Sequence, residues 1–431
     1  MTQLIKRAYL VGAPADAQVN PDGTGDVLID SNGRIEAIAP NISNSSEETE
    51  VIDAQGQYLG PGLIDLYSQS GEPGHEQRET LNSLRAAATA GGFTRLGLLP
   101  TAIPTIDNVG ALSQVIRHAS PAATKSHTAL MPWAAITLAA EGQQLAELTE
   151  LAQAGALGFT DATPINNPIL LRRLLEYAQP LQKPIALWPC DSTLAGSGVA
   201  REGIDSLRLG LLGVSTIAET SAIAKLLEYV AEVPTPIHLM RISTARSVVL
   251  LRQAKAAGLP ISASVPWHHL LFDTQDLLRY NPSLRHDPPL GTPSDRQALI
   301  EGVTEGVIDA IAIDHSPYTY EEKTVAFDSA PPGAIGLELA LPVLWQTFVA
   351  SNRWSPAELW QRLSYRPAEC LGITAPKLSI GETAELTLFD PRVSWQVIPE
   401  ALRSLSYNTP WAGQQLQGKV TRVWNSHLSV T

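Results

Sequence analysis

The sequence predicts an α/β protein: a closed (β/α)8 barrel, or TIM barrel, with a small β-sandwich domain built from both ends of the chain. Eight short apolar segments with strand composition recur in the middle of the 431-residue chain. Helical segments fall between them, and several end at glycine, as helix C-termini do. Strand-like segments separated by turn residues lie near both ends. Together these observations favour a barrel with one composite β domain.

The first element is a small β unit near the N-terminus. The stretches IKRAYLV, PDGTGDVLID, SNGRIEAIAP and EVIDAQGQYLG alternate roughly between apolar and polar residues, and their Asp-Gly and Asn-Gly pairs are hairpin signals. The later stretches IGETAELTLFD, SWQVI and GKVTRVWNSHLSV are also strand-like and are separated by Gly or Pro. We therefore expect residues 1–58 and 376–431 to form the small domain and residues 59–375 to form the barrel.

The barrel strands follow in order along the middle of the chain. They are predicted at residues 62–68, 94–100, 128–136, 156–161, 184–189, 236–243, 260–267 and 308–316. A doubly wound sheet gives a similar strand count and is the alternative. In a barrel, catalytic groups lie at the C-terminal ends of the strands, so functional residues are expected just after these segments.

Composition and charge limit the class of protein. With 44% hydrophobic and 17% charged residues, the chain has the composition of a globular protein. Its net charge of −13 argues against binding to nucleic acid or to an anionic membrane, because those surfaces attract an excess of Lys and Arg. Two cysteines, Cys190 and Cys370, are too few for a disulfide framework, and no apolar run is long enough for a membrane span. We expect a cytoplasmic protein.

Several blocks of the chain resemble one enzyme family. They are VIDAQGQYLGPGLIDL, EPGHEQRETLNSLRAAATAGGFT, GALGFTDATPINNPILLRRLLEYA, DSTLAGSGVAREG, ISTARSVVLLRQAKAAGLPISASV, DPPLGTPSDRQALIEGVTEGVIDAIAIDHSP and EEKTVAFDSAPPGAIGLE. In this order and spacing they are similar to a dihydroorotase of the amidohydrolase superfamily, of the long type related to allantoinases and hydantoinases. The resemblance covers most of residues 50–340 and implies the barrel of a metal-dependent hydrolase.

The resemblance also implies zinc chemistry. One or two zinc ions would turn a bound water into hydroxide, which attacks a cyclic amide carbonyl. The implied ligands are a His-x-His pair after the first strand, a carboxylated Lys or an Asp after the fourth, one His each after the fifth and sixth, and an Asp after the eighth.

Four of these six implied positions hold residues that do not suit zinc. The His-x-His positions fall on Tyr67 and Gln69, and the two single His positions fall on Trp188 and Arg241. A phenol must first lose its proton, an amide is a weak donor, an indole offers only an N–H, and a guanidinium repels a cation. No zinc cofactor is therefore expected.

Two carboxylates, Asp161 and Asp314, keep the implied chemistry, and Asp314 is left as a vestigial catalytic position. Two buried anions without a metal are costly, so the sequence suggests that Arg241 supplies positive charge by pairing with Asp161, Asp314 or both. Trp188 and Tyr67 would then fill the volume that metal and water leave. The alternative is that Arg241 points into solvent.

The positions implied to contact substrate have changed as well. The family's Arg after the His-x-His falls on Gly71, and its Asn after the second strand falls on Thr101. Its Asn-Pro-Pro-Leu-Arg loop reads DPPLG here, with Asp287 first and Gly291 last. Asp287 would repel the carboxylate of dihydroorotate, and the cations that would hold it are missing. With His315, these residues are the expected remnants of a substrate pocket.

Four histidines near strand ends are candidates for a rebuilt metal site: His238, His268, His269 and His315. A structural, hydrogen-bonded role is the preferred interpretation of each, because zinc requires a larger set of suitable ligands. A serine triad built on Ser68 or Ser316 lacks the Gly-x-Ser-x-Gly motif, and no phosphate-binding loop is found.

Three functions remain as alternatives. The leading hypothesis is a non-catalytic dihydroorotase-like protein, similar to the inactive subunits that assemble with aspartate carbamoyltransferase in pyrimidine biosynthesis, and hence a homo- or hetero-oligomer. The second is an active amidohydrolase of cyclic amides such as dihydroorotate, allantoin or a hydantoin, with an atypical or metal-free site and Asp314 as base. The third is a metal-free small-molecule binder that uses Trp188, Tyr67 and Trp267.

Overall fold

The computed structural model of the chain describes residues 2–14, 17–43, 48–118 and 128–425, and most of its strands fall into a terminal sheet and a barrel. The strands are β1 (Gln3–Leu10), β2 (Thr24–Ile29), β3 (Ile35–Ala39), β4 (Glu50–Asp53), β5 (Tyr58–Pro61), β6 (Leu63–Ser68), β7 (Phe93–Leu98), β8 (Ala129–Pro132), β9 (Ala186–Leu187), β10 (Ala200–Arg201), β11 (Gly213–Val214), β12 (Ile237–Leu239), β13 (Ile261–Pro266), β14 (Ala310–Ala312), β15 (Glu385–Gln396) and β16 (Gln415–Asn425).

Helices alternate with the barrel strands and also follow the last of them. They are α1 (Leu81–Ala90), α2 (Val109–His118), α3 (Leu148–Gln153), α4 (Pro168–Ala178), α5 (Ser192–Ala195), α6 (Ile204–Leu209), α7 (Thr216–Glu232), α8 (Ala245–Ala256), α9 (Pro293–Thr304), α10 (Tyr320–Lys323), α11 (Ala340–Leu344), α12 (Pro356–Trp360) and α13 (Arg366–Cys370). π-helical turns at Trp345–Val349 and Gln361–Tyr365 extend α11 and join α12 to α13. Within the described ranges, no helix is long and apolar enough to cross a membrane.

The terminal sheet has seven strands in the order β16-β15-β5-β1-β2-β3, with β4 beside β1. β1 pairs antiparallel with β2 and parallel with β4 and β5, so the sheet is mixed. Apolar residues that alternate along these strands form a separate buried cluster, which confirms a small β unit made from both ends of the chain.

The limits of the terminal sheet differ slightly from the predicted ones. β5 runs to Pro61, three residues past the predicted boundary at residue 58. The predicted last strand extends beyond Asn425 into residues 426–431, which lie outside the described residues. The division at residues 58 and 376 stays a prediction.

The barrel is a closed ring of parallel strands. β6, β7 and β8 pair in order, as do β9, β12, β13 and β14. The ring closes between β14 and β6, where the Ile313 backbone N–H donates to Asp65 Oδ1 (2.8 Å) and the Gln69 N–H donates to the His315 carbonyl (2.8 Å). Closure confirms the predicted barrel and is incompatible with an open doubly wound sheet.

The fourth strand of the ring is short and irregular, and it lies within the predicted residues 156–161. The Leu157 N–H donates to the Pro132 carbonyl (2.8 Å) and the Phe159 N–H donates to the Pro184 carbonyl (2.9 Å), so this segment joins the third strand to the fifth. Gly155 (φ 101°) and Ala162 (φ 58°) turn the backbone on either side of it.

The centre of the barrel is filled by Trp133. This side chain is 1% exposed, and its Nε1 donates to the Leu66 carbonyl (2.9 Å). A Cβ at Gly97 would lie 2.1 Å from the same carbonyl oxygen, and a Cβ at Gly158 would lie 2.6 Å from the indole. The close approach therefore requires glycine at both positions. Since the interior is packed, any ligand site must lie at a mouth of the barrel.

A buried carboxylate attaches the terminal sheet to the barrel. Glu385 of β15 is 1% exposed and forms two hydrogen bonds with the Arg95 guanidinium of β7, at 2.8 and 2.6 Å. Thr94 Oγ1 donates to the same carboxylate (2.7 Å). This paired charge fixes the sheet against the second barrel strand.

Asp65 joins the first and last barrel strands. Its fully buried carboxylate accepts hydrogen bonds from the Ile313 N–H and from Ser68 Oγ (2.6 Å). Burial raises the pKa of Asp65 to about 7, although these hydrogen bonds act in the opposite direction. Because the folded-state pKa lies above the unfolded value, this group favours folding at low pH, and that contribution is lost as the pH rises through about 7.

We expect Asp65→Asn to remove this pH dependence. Between about pH 5 and pH 7 the unfolding free energy of the variant, relative to wild type, should rise by about 1.4 kcal/mol per pH unit. Urea unfolding across this range measures the difference. Asp328→Asn, at an exposed position, is the control and should show a constant difference. A constant difference for Asp65→Asn too would contradict the assignment.

Candidate functional site

A buried ion pair lies at the mouth of the barrel where the sixth and eighth strands end. Arg241 Nε donates to Asp314 Oδ2 and Arg241 Nη2 donates to Asp314 Oδ1, both at 2.8 Å. Arg241 is 6% exposed, and its Nη1 donates to the Ala162 carbonyl (3.2 Å). The predicted pairing is confirmed for Asp314, and the alternative that Arg241 points into solvent is wrong.

The ion pair keeps its charge in spite of burial. Burial alone would lower the pKa of Arg241, but the charge and hydrogen bonds of Asp314 raise it above its ordinary value. Both oxygens of Asp314 are engaged by the guanidinium. A proton transferred to Asp314 would remove one charge of the pair and leave the buried guanidinium without its counter-charge.

Asp161 has a different partner from the one that the sequence suggested. Its carboxylate accepts hydrogen bonds from the Thr137 backbone N–H (2.9 Å) and from Thr137 Oγ1 (2.6 Å). Burial raises the pKa of Asp161, and the two bonds from Thr137 partly oppose this shift. The suggested pairing of Arg241 with Asp161 is wrong, because Thr137 occupies the carboxylate.

Two aromatic side chains enclose the guanidinium. Arg241 Cζ lies 4.8 Å from the ring centroid of Trp188 and 6.0 Å from that of Tyr67. The Tyr67 hydroxyl shares a hydrogen bond with Ser264 Oγ (2.9 Å) and accepts one from the Arg241 backbone N–H (3.2 Å). Burial raises the pKa of Tyr67, so the phenol stays protonated. Aromatic rings and a cation therefore occupy three of the implied zinc-ligand positions.

The backbone at three strand ends adopts the left-handed conformation. The residues are Ala162 (φ 58°), Arg241 (φ 56°) and Asp314 (φ 50°), at the ends of the fourth, sixth and eighth strands of the ring. For residues other than glycine this conformation costs about 1 kcal/mol or more each, and it clusters at ligand sites. The mouth thus has the strained backbone of a functional site.

A buried glutamate holds the segment that carries Arg241. Glu219 of α7 is 4% exposed and accepts hydrogen bonds from the Ser243 N–H (3.1 Å), Thr244 Oγ1 (3.1 Å) and Ser247 Oγ (2.5 Å). The Ser243 hydroxyl donates to the same carboxylate. Glu219 was not predicted from the sequence, because a single Glu in an amphipathic helix does not indicate which residues it will contact in the folded chain.

A pocket of about 240 Å³ opens beside the ion pair. Six of the family's implied ligand and substrate positions line it: Gln69, Thr101, Trp188, Arg241, Asp287 and Asp314. Gln69 Nε2 donates to Ser316 Oγ (3.2 Å), another lining residue. The structure therefore brings these predicted positions together around one cavity.

Three predicted pocket residues do not line this pocket. A Cβ at Gly71 would meet the His75 carbonyl oxygen at 2.0 Å, and one at Gly291 would meet Asp295 Cβ at 2.5 Å, so both glycines serve close packing of loops. His315 Nε2 lies 3.4 Å from Glu79 Oε2, and its Nδ1 accepts from the Gly336 N–H (3.2 Å). None of the three lines this pocket, and their role as substrate contacts stays a prediction.

Two of the three aromatic residues predicted to form a binding surface do not reach the pocket. Tyr67 and Trp267 are both fully buried, and neither lines the pocket. Trp267 instead stacks on Trp411 at 4.9 Å between ring centroids. Of the three aromatic residues proposed, Trp188 alone forms part of the wall.

Three histidines line the pocket: His268, His269 and His286. The rings of His268 and His286 lie 4.4 Å apart, and His269 Nε2 is 3.0 Å from the Pro288 carbonyl. His286 was not predicted, although it directly precedes Asp287 in the chain. His238, another of the predicted candidates, is a structural residue whose ring nitrogens are hydrogen-bonded to Ser262 Oγ and Ser264 Oγ at 2.9 and 2.8 Å.

The donor set does not fit zinc. Within the part of the chain that the structure describes, no group of three or more His, Cys, Asp or Glu side chains is arranged to hold a metal ion. Asp314 is bound to a guanidinium and Asp161 to Thr137, so the two remaining carboxylates are directed to protein partners. No catalytic step through a metal is derived for this site.

Comparisons with known proteins agree with this architecture. The family "Dihydro-orotase-like" matches residues 56–246, and the "Amidohydrolase family" matches residues 220–426. A "Probable dihydroorotase-like protein" of Synechocystis sp. is 43% identical over 88% of this chain and 90% of its own. A "Dihydroorotase" of Syntrophus aciditrophicus is 36% identical over 95% of both chains.

Solved structures share the fold at lower identity. L-Hydantoinase (dihydropyrimidinase) from Arthrobacter aurescens superimposes with a TM-score of 0.83 at 21% identity, covering 97% of this chain and 93% of its own. Dihydropyrimidinase from Brevibacillus agri gives 0.81 at 20% identity, covering 99% and 94%. At this identity the likeness concerns the fold alone.

The ion pair predicts a large stability effect. Arg241→Ala leaves the Asp314 carboxylate buried without its partner, which should cost about 3–5 kcal/mol of unfolding free energy. The double variant Arg241→Met, Asp314→Leu removes both charges and should recover much of this loss. Urea unfolding measures both. Arg172→Ala in the exposed Arg172–Glu176 pair is the control and should cost less than about 1 kcal/mol. A similarly small loss for Arg241→Ala would contradict the assignment.

The buried histidines predict acid sensitivity. Burial lowers the pKa of His238 to about 3 and that of His269 to about 4, and it lowers those of His268 and His286 well below the ordinary value. Because these folded-state pKa values lie below the unfolded value, the neutral rings favour folding above about pH 6.5, and this contribution is lost as the pH falls.

His268→Phe should reduce the acid sensitivity. The variant keeps the ring stacked beside Trp267 but removes one titrating group, so the loss of unfolding free energy below about pH 6.5 should become smaller by about 1.4 kcal/mol per pH unit. Chemical unfolding between about pH 6.5 and pH 5 measures the slope. His118→Gln, at an exposed position, should leave the slope unchanged. An unchanged slope in His268→Phe would show that this ring is protonated in the folded state.

Proposed function

This chain belongs to the dihydroorotase-like proteins of the amidohydrolase superfamily, and from that premise we propose that it is a non-catalytic member with a structural or assembly role in pyrimidine biosynthesis. Its proposed partner is aspartate carbamoyltransferase, with which the chain would form a hetero-oligomer. The partner is inferred from the family resemblance of the sequence, and the loss of catalysis from the geometry of the barrel mouth.

The observation that carries the proposal is the Arg241–Asp314 pair. A permanent cation occupies the end of the sixth strand, and both oxygens of the carboxylate at the eighth strand accept its hydrogen bonds. A general base must take up a proton, and a proton on Asp314 would remove the counter-charge of the buried guanidinium, so this pairing opposes a role as base. At the barrel mouth, the charges of Arg241 and Asp314 therefore neutralise each other and are not directed to a substrate or a metal ion.

An exposed apolar surface supports an assembly role. It is formed by α6 and the turn at Thr274–Arg279, which pack together through a hydrogen bond from Thr274 Oγ1 to Asp205 Oδ2 (2.6 Å). The exposed apolar side chains in and next to these elements are Ile204 (63%), Leu207 (82%), Leu212 (64%) and Leu278 (64%). Clusters of this kind are typical of protein-binding surfaces. We name it the α6 surface.

A second candidate function is hydrolysis of a cyclic amide such as dihydroorotate, allantoin or a hydantoin. It is favoured by the relatives that are 34–37% identical and carry the name "Dihydroorotase". Activity would require the Arg241–Asp314 pair to open, or a different base. The two candidates differ in a simple observable, since only the second requires turnover.

Purification from native cells separates the two candidates. We expect aspartate carbamoyltransferase to co-elute with the chain, no stoichiometric zinc by metal analysis, and no hydrolysis of dihydroorotate, allantoin or hydantoin. The double variant Leu207→Glu, Leu212→Glu should lose the co-eluting partner, because charged side chains disfavour an apolar interface. Ile169→Glu, 65% exposed on α4, is the matched control and should retain it.

A zinc-loaded homo-oligomer that hydrolyses one of these substrates would establish the enzymatic alternative and overturn the proposal. Retention of the partner by the Leu207→Glu, Leu212→Glu variant would show that the α6 surface is not the contact with the partner.

A further inference from the structure

The pocket at the barrel mouth carries a charge that its own walls do not neutralise. Its charged lining residues are Arg241, Asp314 and Asp287. The first two neutralise each other through their paired hydrogen bonds. The lining histidines are uncharged at neutral pH, because burial lowers the pKa of each. The walls therefore present one net negative charge, that of Asp287.

The Asp287 carboxylate is accessible and has no partner. Its side chain is exposed at the pocket, and it forms no hydrogen bond or ion pair with any residue that the structure describes. The guanidinium of Arg285, two residues earlier, donates instead to the His286 carbonyl (2.7 Å). The concave surroundings raise the pKa of Asp287 by desolvation, although Arg285 and Arg241 lower it. A carboxylate in this position is an open acceptor for N–H donors.

Aromatic rings line part of the pocket. The imidazoles of His268 and His286 pack against each other at 4.4 Å, and Trp188 forms another part of the wall. Aromatic surfaces of this kind suit contact with the face of a flat molecule. His268 Nε2, His269 Nδ1 and His286 Nε2 are buried and have no hydrogen-bond partner among the described residues. A cavity of about 240 Å³ accommodates a ring with one polar substituent.

An anionic ligand has no counter-charge in this pocket. The guanidinium of Arg241 is the one cationic group among its described lining residues, and Asp314 and the Ala162 carbonyl already engage it. A carboxylate ligand would also approach Asp287 without compensation, which is unfavourable. The charge preference of the pocket is thus for cations.

We propose that this pocket binds a small planar organic cation, an amidine, guanidine or aromatic amine, whose N–H groups pair with the Asp287 carboxylate. The proposal goes beyond the assembly role, because it concerns a ligand site that neither requires nor excludes a partner protein. A charge-assisted pair with two parallel N–H···O bonds is the strongest contact that Asp287 offers, and only a cation with adjacent N–H groups forms it. Selectivity for cations over anions follows.

The test uses three probes of nearly equal shape: benzamidinium, benzamide and benzoate. Isothermal titration calorimetry and thermal unfolding of the full chain at neutral pH should show benzamidinium binding in the millimolar range or tighter, weaker binding of benzamide, and no binding of benzoate. Asp287→Asn should weaken benzamidinium roughly tenfold or more, because the charge-assisted pair is lost. Asp328→Asn, at an exposed carboxylate remote in sequence, should leave binding unchanged.

The Asp287→Asn variant is suited to this test because the carboxylate makes no bond within the described part of the chain, so its unfolding midpoint without probe should not fall below that of wild type. Three results would overturn the proposal. They are benzoate binding at least as tightly as benzamidinium, equal benzamidinium affinity in Asp287→Asn and wild type, and no binding of benzamidinium at millimolar concentration.

Discussion

The rest of the barrel mouth depends on one constraint: a buried guanidinium must be neutralised where it lies. Arg241 meets this constraint through two hydrogen bonds to Asp314, a third to the Ala162 carbonyl, and the flanking rings of Trp188 and Tyr67. Removing a cation from water costs several kcal/mol, so each of these contacts offsets part of that cost. The same contacts commit the charge of Asp314 to the guanidinium, and they leave Asp287 as the uncompensated charge of the pocket.

The scaffold around this pair is that of the family, while the side chains at its centre differ from the zinc ligands that the family resemblance implies. The left-handed backbone at Ala162, Arg241 and Asp314 and the bonds from Glu219 to the Arg241 segment hold the strand ends in fixed positions. Such packing constraints act on the whole chain, which accounts for identities of 34–43% with the dihydroorotase-like relatives over most of its length. Fold and chemistry are separable, because packing needs shape whereas catalysis needs particular atoms.

Much of the fold and part of the site could be predicted from the sequence. Apolar segments at regular spacing predicted the barrel, and the sequence also placed Tyr67, Gln69, Trp188 and Arg241 at four of the implied zinc-ligand positions. Which of the two carboxylates, Asp161 or Asp314, pairs with Arg241 was not predictable, because it depends on the hydrogen bonds that Thr137 donates to Asp161. His286 and Glu219 were missed, since burial and partners come from residues far apart in the chain.

The sequence by itself determined the fold class and the residue types at the strand ends, because hydrophobic periodicity and side-chain chemistry are local properties. Only the tertiary structure decided which groups meet. In the folded chain Arg241 pairs with Asp314, and His315 lies against Glu79 instead of in the pocket. Gly71 and Gly291 pack in loops, whereas the Asp287 carboxylate faces the pocket without a partner among the described residues. The physical reason is that pairing and burial are set by distances between strands, and those distances exist only once the barrel has closed.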